Sequence, residues 1–159
     1  MSIPASLLAR LESQVEALGP ILDRATPTAL DARPRTDEWS AREHLAHAAR
    51  HQAVFLQRLR RLLVEDRPPL GRYRAEDDPE WPAWAVLPAD EAVARLRSVR
   101  ADLLALVRSL SPAQSGRTGL HPTFGEMDVA GWLHFFLLHE AHHLYTALVC
   151  IGEATRRPR

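Results

Sequence analysis

Trp132–Ile151 reads WLHFFLLHEAHHLYTALVCI. The run is apolar, too long for a strand, and holds four of the eight histidines: His134, His139, His142 and His143. On a helix, residues three and four apart share a face. Trp132, Phe136, His139, His143, Thr146 and Cys150 follow one another at steps of four, three, four, three and four, the spacing of an inward-facing stripe. Two imidazoles one turn apart in such a stripe can hold one metal ion between them. The alternative is a pair of buried, hydrogen-bonded histidines.

Outward from this stretch, Asp128 is a suitable cap for the helix and Gly152 is expected to end it, leaving 152–159 as a polar tail. Before it, residues 111–127 read as a loop that carries His121, Pro122 and Gly125. A third helix is predicted from Pro88 and Asp90 through Val93, Leu96, Val99, Leu103, Leu106 and Leu110. Residues 66–87 form a long irregular connection in which Trp81 and Trp84 are expected to pack. The second helix opens at Trp39-Ser40, where Ser40 and Glu43 make a capping box, and runs to about Glu65 with His44, His47 and His51 on it. Periodicity does not choose among those three. The first helix runs from Ser2, its expected cap, to Leu18, where Gly19-Pro20 should break or kink it. Residues 26–38 read as a loop. No strand alternation, repeat or domain boundary is visible. The expectation is one all-α domain over 1–159, a four-helix bundle whose long connections set it apart from a tight up-and-down one.

Of the 159 residues, 46% are hydrophobic, so a packed core is expected. Lys+Arg and Asp+Glu are 20 each and the net charge is zero, which gives no electrostatic case for nucleic acid. Every basic residue is Arg. The one cysteine, Cys150, excludes an intramolecular disulfide. The start, MSIPASLLARLE, lacks signal-peptide character, and Glu140 and the histidines interrupt the longest apolar run. A soluble, cytoplasmic protein with no membrane partner is expected.

His139-Glu140-Ala141-His142-His143 is literally HExxH, in which a metallopeptidase uses both histidines as zinc ligands and the glutamate as general base. Against that reading, only 16 residues follow His143, with Glu153 the sole carboxylate, and no edge strand is foreseen to hold a peptide. Glu140 points about 100° around the helix from His139. Solvent is its expected place, with a role behind the metal ligands as the alternative. No catalytic residue is assigned.

Trp39-Ser40-Ala41-Arg42-Glu43-His44-Leu45-Ala46-His47 resembles the WSxxExLxH opening of the second helix in the DinB/YfiT-like family. His121-Pro122-Thr123-Phe124-Gly125, then Trp132-Leu133, then His139 to Leu144 is similar to that family's final loop and helix. The likeness covers essentially the whole chain. It departs where family members carry Gln three residues after the leucine; here Ala147 stands there. The resemblance implies a metal triad of His47, His139 and His143, with His47 chosen where periodicity could not choose. It also implies a four-helix bundle, a homodimer, and metal-dependent hydrolysis or transfer to a small bacterial thiol co-substrate. The substrate expected is a small molecule.

Three histidines suit zinc, nickel, iron or copper. Zinc and nickel are the ions expected, with iron and manganese behind them. A structural zinc site has four protein ligands, often with cysteine, and Cys150 lies nearly two turns past His143. Three ligands leave a position open, as catalysis requires. A non-catalytic bundle that holds its metal for structure is the alternative. His44, His51, His134 and His142 are expected at the surface or behind the ligands.

Overall fold

The computed structural model describes residues 2–23 and 25–156, and the end of the expected tail, 157–159, lies outside them. Four long helical segments pack side by side: a composite first segment, α4 (Ala41–Val64), α6 (Ala89–Arg108) and α8 (Val129–Arg156). Helix α4 is the hub and lies against both α6 and α8.

The first segment is three pieces: α1 (Ala5–Ser13), a 3-10 turn over Gln14–Ala17, and α2 (Leu18–Leu22). Pro4, not Ser2, precedes the first turn. Pro20 has no N–H to give to a carbonyl one turn back. The chain answers by tightening to 3-10 before it and starting α2 afresh, so the interruption expected at Gly19-Pro20 falls just ahead of them and the helix resumes through Ile21 and Leu22. The 26–38 loop contains α3 (Pro27–Asp31), capped by Thr26, whose hydroxyl oxygen accepts from the Ala29 N–H.

The capping box on α4 is present in full. Ser40 Oγ accepts from the Glu43 N–H at 3.3 Å and Glu43 Oε2 accepts from the Ser40 N–H at 2.8 Å. The connection after α4 holds a 3-10 turn at Ala75–Asp77 and α5 (Trp81–Ala85). Helix α6 carries Asp90 and Glu91 in its first turn, where they favour the helix dipole.

Residues 111–127 are more ordered than a loop. They hold α7 (Pro112–Ser115) and, together with Asp128, a hairpin of β1 (Thr118–His121) and β2 (Gly125–Asp128), paired antiparallel with Thr118 opposite Asp128. The hairpin also takes a parallel bridge from the connection, with Leu70 N donating to Leu120 O and Leu120 N donating to Pro68 O. The expectation of no strand is corrected here. The segments are only four residues each and hold a single β-branched residue, Thr118, between them, too little to mark strands. Gly125 closes the turn at φ 72°, a left-handed conformation that favours glycine.

Asp128 caps α8 as expected, accepting from the Gly131 N–H at 2.8 Å. Gly152 does not end that helix, which continues to Arg156, so the expected polar tail begins as helix.

Two large apolar clusters fill the bundle, beside a small one of Ala46, Leu87 and Ala92. One gathers Leu11, Phe55, Leu59, Leu103, Leu133 and Phe136; the other gathers Leu18, Leu45, Ala49, Leu96, Leu144 and Ile151. Hydrogen-bonded polar side chains also lie in the core, and they join all four segments. Arg100 on α6 donates to Gln52 Oε1 at 2.6 Å, to the Leu11 carbonyl at 2.6 Å and to Glu140 Oε2. Gln14 donates to Glu140 Oε1 at 2.9 Å. Glu140 is 1% exposed, so its expected place at solvent is corrected: Arg100 and Gln14 draw it into the core. No helix among the described residues is long and apolar enough to cross a membrane.

Candidate metal centre

Ser40 fixes where α4 begins, and His47 follows two turns later on the side facing α8. The middle of α8 presents His139 and His143 one turn apart. The three imidazoles converge. Ring centroids are 4.3 Å apart for His47 and His143, 4.6 Å for His139 and His143, and 5.3 Å for His47 and His139. One possible ligand atom from each residue lies within 4.8 Å of the others. His47 Nε2 and His139 Nε2 are 3.5 Å apart. Two nitrogens at about 2.1 Å from a tetrahedral ion would stand about 3.4 Å apart. The donor set therefore fits a divalent ion in both chemistry and spacing.

Electrostatics point the same way. Burial, then the neighbouring histidines, lowers His47 to about 3. Burial, His142 and Arg58 lower His139 to about 4. His143 is pushed down further, first by burial and then by His47 and His139. Neutral imidazoles keep the lone pairs that a metal needs.

Two more histidines adjoin the cluster. His44 Nδ1 is 2.9 Å from His143 Nδ1, and burial lowers His44 to about 4. His51 is buried with its ring 3.9 Å from that of His139. Neither lies at the surface: His44 is half-buried and His51 buried, each against one of the clustered histidines. His134 and His142 are exposed. The distal nitrogens of His47 and His139, both Nδ1, are buried with no hydrogen-bond partner among the described residues. Trp39 and Trp81 wall the cluster, with centroids 4.8 Å and 5.6 Å from that of His47. Trp84 instead takes the guanidinium of Arg95 at 5.0 Å.

Glu140 carries its carboxylate away from the ligands to Arg100 and Gln14. It is thus without the general-base position that HExxH requires, and it is not behind the ligands either. Cys150 is buried, and its thiol points to the Trp39 carbonyl at 3.9 Å.

Two cavities flank the cluster. One, of about 340 Å³, has His139 and His51 in its wall, with Arg58 from α4, Arg72 and Tyr73 from the connection, and His121 and Phe124 from the hairpin turn. The other, of about 510 Å³, lies by His44 and Trp39 and is lined by Asp37, Glu38, Glu76 and Glu153. The hairpin turn explains the HPxxG pattern: His121 Nδ1 accepts from the N–H groups of Thr123 and Phe124 at 3.1 and 3.2 Å, and Gly125 supplies the positive φ. Arg58, Arg72 and Tyr73 carry no sequence signal of their own, because the bridge to the hairpin is what brings the connection over α4.

Comparison with known proteins agrees with this geometry. "Putative metal-dependent hydrolase OB0413" of Oceanobacillus iheyensis is 25% identical over 142 residues, covering 86% of this chain and 79% of that protein. The solved structure of YfiT from Bacillus subtilis, described as "a probable metal-dependent hydrolase with an unusual four-helix bundle topology", superposes with a TM-score of 0.75 at 22% identity, over 96% of this chain and 85% of that one. TT2238, described as a four-helix bundle protein, superposes with a TM-score of 0.63 at 31% identity, over 89% of this chain and 94% of that one. The sequence model of the DinB superfamily matches residues 8–147. With that match over most of its length, and the bundle and histidine cluster in place, this chain belongs to the DinB superfamily.

Proposed function

We propose that this protein is a metal-dependent hydrolase of a small molecule, with one divalent ion held by His47, His139 and His143. The observation that carries the reading is the convergence of three neutral imidazoles from two helices, with ligand atoms within 4.8 Å of one another. The name of the Oceanobacillus relative supports hydrolysis as the reaction. When bound, such an ion supplies Lewis acidity, which hydrolysis and thiol transfer both use.

The chain's own residues do the rest. His44 holds one nitrogen of His143 and so fixes the plane of that ring. Trp39 and Trp81 pack against His47 and keep bulk water from that side. The Arg100–Glu140 pair ties α6 to α8 on the ligand-bearing helix itself, which holds His139 and His143 at a constant level against α4.

The test is an activity screen of protein loaded with zinc or nickel, against small esters, amides and lactones, with and without small thiols. Turnover without thiol that is lost on chelation and in His139→Ala supports the proposal. Turnover that requires a thiol assigns the transferase reading instead. A protein that binds no divalent ion overturns both.

A further inference from the structure

We propose that the substrate carries a carboxylate on a flat apolar body, and that Arg58 and Arg72 bind the carboxylate in the 340 Å³ cavity beside His139. The inference rests on the proposed function for what that bound molecule reacts with, but not for the binding itself.

Charge is the first argument. Among the described residues, Arg58 and Arg72 are the only ionised side chains in the cavity wall, and no carboxylate lines it. Many of the described arginines are neutralised locally, as Arg50 is by Asp78 and Arg100 by Glu140. Arg58 and Arg72 form no ion pair among the described residues. Arg58 is half-buried, and its one hydrogen bond among the described residues goes from Nη2 to the Gly71 carbonyl. A partly desolvated guanidinium without an anion is unfavourable, and a fork of donors suits a planar carboxylate. The bond to Gly71 also sets Arg58 directly beneath the segment that carries Arg72. The positive charge of Arg58 is felt at His139 and His51, where it adds to the lowering that burial causes.

Shape is the second argument. Phe124, Phe135 and Tyr73 furnish aromatic surface around the same cavity, and His121 stacks on Phe124 at 4.7 Å. Tyr73 is not a further acid or base here: its hydroxyl donates to Asp78 at 2.9 Å, and burial, then that bond, pushes its pKa well above the usual phenol value. The cavity volume is that of a small-molecule site. The cavity by His44 and Trp39 has the opposite character, since Asp37, Glu38, Glu76 and Glu153 line it.

The experiment is calorimetric titration of metal-free protein with benzoate, its uncharged counterpart benzamide, and phenylphosphonate. Benzoate should bind about tenfold more tightly than benzamide, the scale of one charge-assisted hydrogen bond. Arg58→Gln and Arg72→Gln should each abolish that preference, while Glu76→Gln leaves it unchanged. Thermal midpoints of both arginine variants confirm that they are folded. Zinc titration of the same proteins runs in parallel, so that a failure of the metal reading shows as absent zinc binding while benzoate selectivity still decides the cavity. Equal binding of benzoate and benzamide, or a preference that survives both arginine substitutions, overturns the inference. Phenylphosphonate bound more tightly than benzoate through the same arginines overturns the carboxylate assignment in favour of a phosphate.

Discussion

His44 Nδ1 lies 2.9 Å from His143 Nδ1, so two neighbouring imidazoles share one hydrogen bond across the α4–α8 interface. When His143 donates, its Nε2 is left with the lone pair free for a metal. His44 is then a positioning residue and not a ligand. Removing such a partner weakens metal binding about 10- to 100-fold. His44→Ala should show that loss in zinc titrations against a competing chelator, with the helical circular dichroism signal intact. Unchanged zinc affinity would refute the role.

Glu140 is the second residue of the HExxH pattern, yet its partners are Arg100 and Gln14. Glu140→Ala leaves the Arg100 guanidinium buried without its counter-charge, and breaking a buried pair in this way costs about 3–5 kcal/mol. Urea unfolding should show that loss. Replacing both residues, Arg100→Met with Glu140→Leu, should recover most of it, because an apolar pair leaves no buried charge. A Glu140→Ala protein of unchanged stability that has lost a metal-dependent peptidase activity would restore the peptidase reading.

The signals in the sequence were uneven for physical reasons. Ser40 with Glu43 and the stripe through His139 and His143 are local patterns, and both appear as read. The placement of Glu140 depended on Arg100, which sits between Leu96 and Leu103 on the buried stripe of α6. That position was a readable sign: an arginine at core spacing demands an anion, and the acidic residue on the buried face of α8 provides it. Gln52, on the buried face of α4, is the same kind of signal. The hairpin gave no comparable sign. Its strands are stabilised by pairing with Pro68 and Leu70, which are far upstream in the sequence, and by the His121 turn, and neither is a periodicity. Only the family resemblance singles out His47, because the choice among His44, His47 and His51 is made by how α4 rotates against α8.

The connection over the site is pinned by Asp78, which accepts from Arg50 at 2.7 Å and from Tyr73 at 2.9 Å. These bonds, with Arg50 foremost, hold the Asp78 carboxyl below its usual range. A carboxyl depressed in the folded state contributes stability above its unfolded pKa and loses it as pH falls through the folded one. Asp78→Asn should therefore lower the unfolding free energy at pH 6, and the gap from the parent protein should narrow below about pH 4. Denaturant melts across that range are the measurement. A gap that widens on acidification would contradict the assigned ionisation.

The ligand assignment itself makes the most demanding prediction. His139 and His143 project from one helix at one-turn spacing, and His47 meets them from another, so an ion there joins α4 to α8. Because the unfolded chain holds no such site, binding stabilises the fold by mass action, about 2.7 kcal/mol at a hundredfold excess over Kd. Zinc should raise the melting temperature of the parent protein. His47→Ala, His139→Ala and His143→Ala should each lose that increase and the bound metal, a greater effect than that of His44→Ala, since a ligand is removed and not its support. His134→Ala and His142→Ala, whose side chains are exposed, should keep both. Metal content measured alongside melting separates lost binding from lost folding. If the three variants retain their zinc while His51→Ala loses it, the ion sits deeper along α4 than His47; if none of the substitutions changes metal content, the cluster is a hydrogen-bonded polar core and nothing more.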